Sequence, residues 1–113
     1  MLKWLKEKTT KAAANQWKFN IKLNTKKLVF ISNKASDNIN VSGGQTNKDD
    51  VRRVVKAQEE LLKDILLGCS NGLSLDEIKN DIIVPVLEKL EVSDGANLAI
   101  DHVIKSAADT FNN

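Results

Sequence analysis

The spacing of apolar residues changes along this chain, and each change predicts a different element. Over residues 2–15, Leu2, Leu5, Thr9 and Ala12 or Ala13 share one helical face with Trp4 beside it, while Lys3, Lys6, Lys8 and Lys11 cover the rest. The alanines thin that face, so this short helix needs a surface to pack on. From Trp17 the period falls to two: Trp17, Phe19, Ile21 and Leu23 alternate with Lys18, Asn20 and Lys22. Alternation of this kind predicts a strand with one buried and one wet face. Residues 24–27 are polar and read as a turn, although they lack glycine. Residues 28–31 are apolar and rich in β-formers. The two runs together predict an antiparallel hairpin. Ile39 and Val41 add a short third strand at 38–41.

A helical period governs the rest. Ser42-Gly43-Gly44-Gln45 breaks the chain, and Thr46 or Asn47 can cap the helix that follows, with Asp49 and Asp50 in its first turn. Val51, Val54, Val55, Gln58, Leu61, Leu62 and Ile65 form its inward stripe, which residues 68–72 end. Ser74-Leu75-Asp76-Glu77 is a capping box for a third helix, with Leu75, Ile78, Ile82, Val86 and Leu90 on its apolar face. Pro85 lies inside it and predicts a kink, or a break near Val84 with Pro85 opening a second segment. After Ser93-Asp94-Gly95, a last helix carries Ala96, Ala99, Ile100, Val103, Ala107 and Phe111 on one face. The expected fold class is α+β: an N-terminal helix and a small antiparallel sheet, packed by three C-terminal helices. Its 113 residues suit a single domain, with a basic helix and hairpin at 1–44 and an acidic helical region at 45–113.

Charge sharpens that division. Residues 1–34 hold nine lysines against Glu7, a net +8, and residues 35–113 hold eight basic and fourteen acidic side chains, a net −6. Such asymmetry points to an acidic partner for one half, or to pairing of the halves. The lysines are interleaved with Trp4, Trp17, Phe19 and Phe30, a combination that can follow a polyanion and stack on bases. No arginine, the planar reader of phosphates and bases, occurs among them. The same lysines could touch an anionic membrane surface, but the apolar face of residues 1–6 spans only about one turn, which is too little for an anchor.

Candidate chemistry adds little. His102, the only histidine, shares its face with Asp101, Lys105 and Asp109 and is expected in solvent. Cys69 is the only cysteine, so no intrachain disulfide can form, and it reads as a small half-buried thiol. Asp76, Glu77 and Asp81, like Glu88 and Glu91, sit at helix starts and on polar faces, where capping and solvation account for them. Gly43-Gly44 lacks the lysine and hydroxyl of a phosphate loop. Residues 72–78 resemble the turn of a helix-turn-helix unit, but the following helix would offer Glu88, Lys89 and Glu91 to DNA, which is the wrong sign. The expectation is therefore a non-catalytic interaction module with no cofactor and no metal. Its partner is another protein or a second copy of itself, and nucleic acid bound through residues 1–34 is the alternative. The candidate binding surface comprises Lys3, Trp4, Lys6, Lys18, Lys22, Lys26 and Lys27, joined by the exposed edge of the sheet. No apolar run approaches the ~20 residues that a bilayer requires, no signal-peptide pattern is visible, and the expected location is the cytoplasm.

Overall fold

The computed structural model describes the backbone from Leu2 to Asn112 and the side chains from Ala12 to Asn112. The described residues contain no strand. Helix α1 runs unbroken over Leu2–Val41, α2 over Lys48–Ser70, and α4 over Asp94–Asn112. Between α2 and α4 lies a composite helix, α3, spanning residues 75–88. It begins as one α-turn (Leu75–Glu77), widens to a π-turn (Ile78–Ile83) and returns to α over Val84–Glu88. The fold is all-α.

The predicted hairpin and third strand are thus corrected to a single 40-residue helix. The reason lies in what the helix buries. Ile21, Thr25, Leu28, Val29 and Ser32 are the buried residues among the described side chains of α1, with Trp17 and Ile39 half-buried on either side of that stretch. Positions 21, 25, 28 and 32 recur every four and three residues, as one helical face does. Two of these are polar, so the inward stripe is hidden from a purely apolar count. The Thr25 hydroxyl is accommodated by donating to the Ile21 carbonyl one turn back, at 2.6 Å. Nothing interrupts the helix either, since the first glycine of the chain is Gly43 and its only proline is Pro85. At Gly43 and Gly44 the backbone turns left-handed (φ 70° and 92°) and the Gly44 N–H closes the helix on the Ile39 carbonyl at 2.9 Å.

Helix α1 packs against all three other helices, most extensively α2. The α1–α2 pair is antiparallel and its register is marked by polar couples. Asn24 donates to Asp64, Lys27 pairs with Glu60 at 3.0 Å, and Asn38 donates to Asp50 at 3.1 Å. Continuing that register places Ser70, the end of α2, near residue 18 of α1, so about 15 residues of α1, or ~22 Å, run past the end of its partner. A 40-residue helix of ~60 Å accounts for the 63 Å long axis of the molecule.

Several local expectations hold. Asn47 caps α2, accepting from the Asp49 N–H at 2.9 Å. Ser74 caps α3 by accepting from the Glu77 N–H at 3.1 Å. Pro85 sits at the start of the Val84–Glu88 segment, just after the π-turn in which the Val84 N–H reaches the Lys79 carbonyl. The wider turn relieves the hydrogen bond and ring clash that proline imposes on an α-helix. It also keeps Ile78, Ile82, Ile83 and Val86 buried. In α2, Ala57, Leu61 and Ile65 are buried while Val51 and Val55 remain over two-fifths exposed, so the inward stripe is narrower than predicted. In α4, Ala96, Ala99, Ile100, Val103 and Ala107 enter the core as expected, and Phe111 stays 44% exposed.

Asn33 of α1 fixes the approach to α4. Its amide donates to the Glu91 carbonyl at 2.7 Å and its carbonyl accepts from the Ser93 N–H at 3.0 Å. Ser93 in turn accepts from the Ala96 N–H at 3.2 Å, opening the helix. Where α1, α2 and α3 meet, Gly68 leaves no spare room: a Cβ there would lie 3.2 Å from Leu73 Cδ1, 3.6 Å from Ile78 and 3.7 Å from Ile21.

Candidate binding surface

Helix α1 turns one face to the bundle and the opposite face to solvent, and the second face is also apolar. Phe19, Leu23 and Phe30 are 60%, 53% and 68% exposed. They lie four and seven residues apart and so share one face. The strand reading assigned Phe19 and Leu23 to the core beside Trp17 and Ile21. The helix separates them, because residues two apart point ~200° away from each other around the axis. Ile21 goes fully inward, Trp17 is half-buried, and Phe19 and Leu23 go outward. Large apolar side chains exposed together on one face mark contact surfaces more often than isolated ones do.

The lysines follow the same geometry. Lys22, Lys26, Lys27 and Lys34 are exposed and Lys18 is half-buried. They do not form the wet side of a sheet, and no sheet edge exists among the described residues to accompany them. The side chains of Lys3, Trp4 and Lys6 lie outside the described residues. Lys26 sits within the exposed aromatic face and Lys22 and Lys27 border it on either side. Lys27 is already engaged with Glu60, a half-exposed pair worth no more than about 1 kcal/mol. No Asp or Glu occurs between Glu7 and Asp37, so α1 itself supplies no countercharge over that stretch.

Two shallow depressions lie between α1 and α3. One, of about 270 Å³, is lined by Lys22, Lys26, Asp81, Pro85, Val86, Lys89 and Leu90. The other, of about 90 Å³, is lined by Lys18, Lys22, Leu73, Glu77, Asp81 and Ile82. In both, acids of α3 face the lysines of α1, so the grooves are mixed in sign. Lys22 and Lys26 thus belong both to these grooves and to the margin of the outer face. A broader trough of about 410 Å³ on α2, lined by Glu59, Leu62, Lys63, Leu66, Leu67 and Ser70, is chiefly apolar and gathers no polar groups around a common point.

The remaining candidates stay apart. His102 is exposed on α4. Cys69 is half-buried near the end of α2, and burial pushes its thiol up from the ordinary value. That shift lowers the thiolate fraction, the reverse of what activates a cysteine nucleophile. Among the described residues no group of three His, Cys, Asp or Glu side chains converges as metal ligands. No helix among them is long and apolar enough to cross a membrane. Leu23 and Phe30 were missed as surface residues by the alternation reading. The signal that finds them is their own spacing with Phe19, four residues and then seven, which sets all three on one helical face.

These features define an all-α bundle with one long helix presenting a basic, phenylalanine-bearing face. No family model, curated protein or solved structure matches the chain.

Proposed function

We propose that the protein is a non-catalytic interaction module that holds another protein on the outer face of α1. The supporting observation is the exposure of Phe19, Leu23 and Phe30 on one face of a helix that lacks acidic residues from position 8 to position 36. Aromatic side chains on a rigid element lose little conformational freedom on binding and are enriched among interface anchors. Lysines along the rim favour an acidic partner and speed its encounter. A cytoplasmic setting fits the single free cysteine.

Photo-crosslinking from position 23 tests this in the native cell. A crosslinkable residue replacing Leu23 is expected to yield a discrete protein adduct that survives nuclease treatment and disappears in a Phe19→Ala/Phe30→Ala background. Interleaved lysines and exposed phenylalanines also favour a second reading, in which the same face binds a single-stranded nucleic acid. Nuclease-sensitive adducts, together with binding that weakens steeply as salt rises, would establish that reading and remove the first.

A further inference from the structure

The groove between α1 and α3 changes in charge along its length. Lys18, Lys22 and Lys26 recur every four residues along its α1 wall, and Glu77, Asp81, Pro85 and Lys89 recur every four along its α3 wall. At one end, Lys18 and Lys22 share a depression with Glu77 and Asp81, so two ammonium groups meet two carboxylates. The other end, of about 270 Å³, sets Lys22, Lys26 and Lys89 against Asp81 alone. Lys22 and Asp81 belong to both ends and offset each other, which leaves Lys26 and Lys89 lining the larger depression without a countercharge. Glu88 and Glu91 flank Lys89 in sequence but do not line it. Among the described residues, none of its three lysines is in an ion pair.

The floor of that depression is apolar. Pro85, Val86 and Leu90 line it; Val86 is buried, and Pro85 and Leu90 are half-buried. Pro85 stands there because α3 leaves its π-turn at Val84, and a proline ring presents carbon with no N–H donor. Two unpaired ammonium groups beside a carbon floor suit a ligand with a dianionic head and a small apolar body. We propose that this end of the groove binds a phosphate monoester carried on such a body. A phosphate monoester bears nearly two negative charges at pH 7, which matches Lys26 and Lys89, whereas a carboxylate would offset only one of them. Lysine serves phosphate as a point charge and needs no planar partner. The depression lies just below the ~300 Å³ at which ordinary small-molecule pockets begin, so the body is about one ring in size. The site uses none of Phe19, Leu23 and Phe30, and it stands independently of the protein-binding reading.

Phenyl phosphate is the probe, titrated into the full chain and followed through backbone amide shifts. The amides of Lys26, Val86, Lys89 and Leu90 should move together and saturate, with a Kd on the order of 1 mM or below. Benzoate, with one charge on the same ring, and inorganic phosphate, with no ring, should each bind at least about fivefold more weakly. Lys26→Gln/Lys89→Gln should weaken phenyl phosphate at least about tenfold. Both side chains are exposed, so the circular dichroism spectrum should not change. Lys34→Gln, at an exposed lysine of α1 that lines neither depression, should leave binding as it was. Phosphatidylcholine vesicles containing phosphatidic acid distinguish the source of the ligand. Their capture through Lys26 and Lys89 assigns the site to a lipid phosphate, and capture of phenyl phosphate alone assigns it to a soluble one. Equal loss from Lys34→Gln, or shifts scattered over the lysines of α1, reduces the effect to diffuse attraction and overturns the proposal. Equal binding of benzoate or of inorganic phosphate overturns it too, as does a titration that fails to saturate by about 20 mM.

Discussion

Alanine substitutions at alternate positions separate the helix from the hairpin that the same residues imitate. Phe19, Ile21 and Leu23 would share one face of a strand and lose similar stability on truncation. In the helix, Ile21 is fully buried while Phe19 and Leu23 are 60% and 53% exposed. Ile21 lies where α1 meets Gly68 and Ile78, and the neighbouring Asn24–Asp64 and Lys27–Glu60 couples hold α1 to α2, so the site has little room to collapse. Ile21→Ala should therefore cost about 2–5 kcal/mol. At ~4 °C per kcal/mol for a chain of this size, the midpoint should fall by about 8–20 °C. Phe19 keeps about two-fifths of its surface covered, which is ~0.6–1.2 kcal/mol of the ~1.5–3 that full burial of phenylalanine provides. Alanine returns about half a kcal/mol through its better helix propensity, leaving a net loss below ~1 kcal/mol. Leu23→Ala falls in the same range. Guanidinium unfolding followed at 222 nm reads all three, and Leu28→Ala against Phe30→Ala repeats the comparison with residues that are 0% and 68% exposed. Equal losses at 19, 21 and 23 would refute the helical assignment.

Other perturbations follow from single contacts. Asn33→Ala removes two hydrogen bonds and strands the Ser93 N–H, so urea unfolding should show a loss of about 2 kcal/mol, with Asn33→Asp falling between it and the parent. The Ser32 hydroxyl is buried without a partner, so Ser32→Ala should raise stability by about 0.5–1.5 kcal/mol, and a lower thermal midpoint would count against that packing. Burial pushes the Cys69 thiol above its ordinary value in the folded chain. The folded state then holds its proton more tightly than the unfolded state, so the associated stability is intact below the ordinary thiol value and is lost as pH rises through the raised one. Labelling of native Cys69 by a thiol reagent at pH 8 should accordingly be slower than labelling in denaturant, and equal rates would contradict the burial.

Much of the C-terminal two-thirds was legible in sequence because its signals are local. Caps at Asn47 and Ser74, the acids after them, the glycines at 43 and 44 and the proline at 85 act on their immediate neighbours. The alanine-rich stripe of α4 is apolar throughout, so its helical period shows plainly. Residues 17–41 misled for two physical reasons. Their inward face includes Thr25 and Ser32, which an apolar pattern skips. Their outward face bears Phe19, Leu23 and Phe30, which fill in the skipped positions and turn a period of 3.6 into an apparent period of two. A helix apolar on both sides thus resembles a strand over a short window. The absence of any glycine or proline before Gly43 was the better guide, since the tight hairpin turns pair asparagine with glycine and Asn24 is followed by Thr25. The basic character of the candidate surface was also legible. Its geometry was not, since Lys18, Lys22, Lys26 and Lys27 spread around a helix instead of lining up along a strand.

The continuity of α1, with Ile21 and Leu28 on its buried face and Phe19, Leu23 and Phe30 on its exposed face, underlies both the fold and the proposed binding, and backbone chemical shifts of residues 17–31 test it most directly. The account predicts Cα shifts displaced in the helical direction at every residue of that span, without interruption at 24–27. Strand-like displacements over 17–23 and 28–31, separated by a turn, would contradict it.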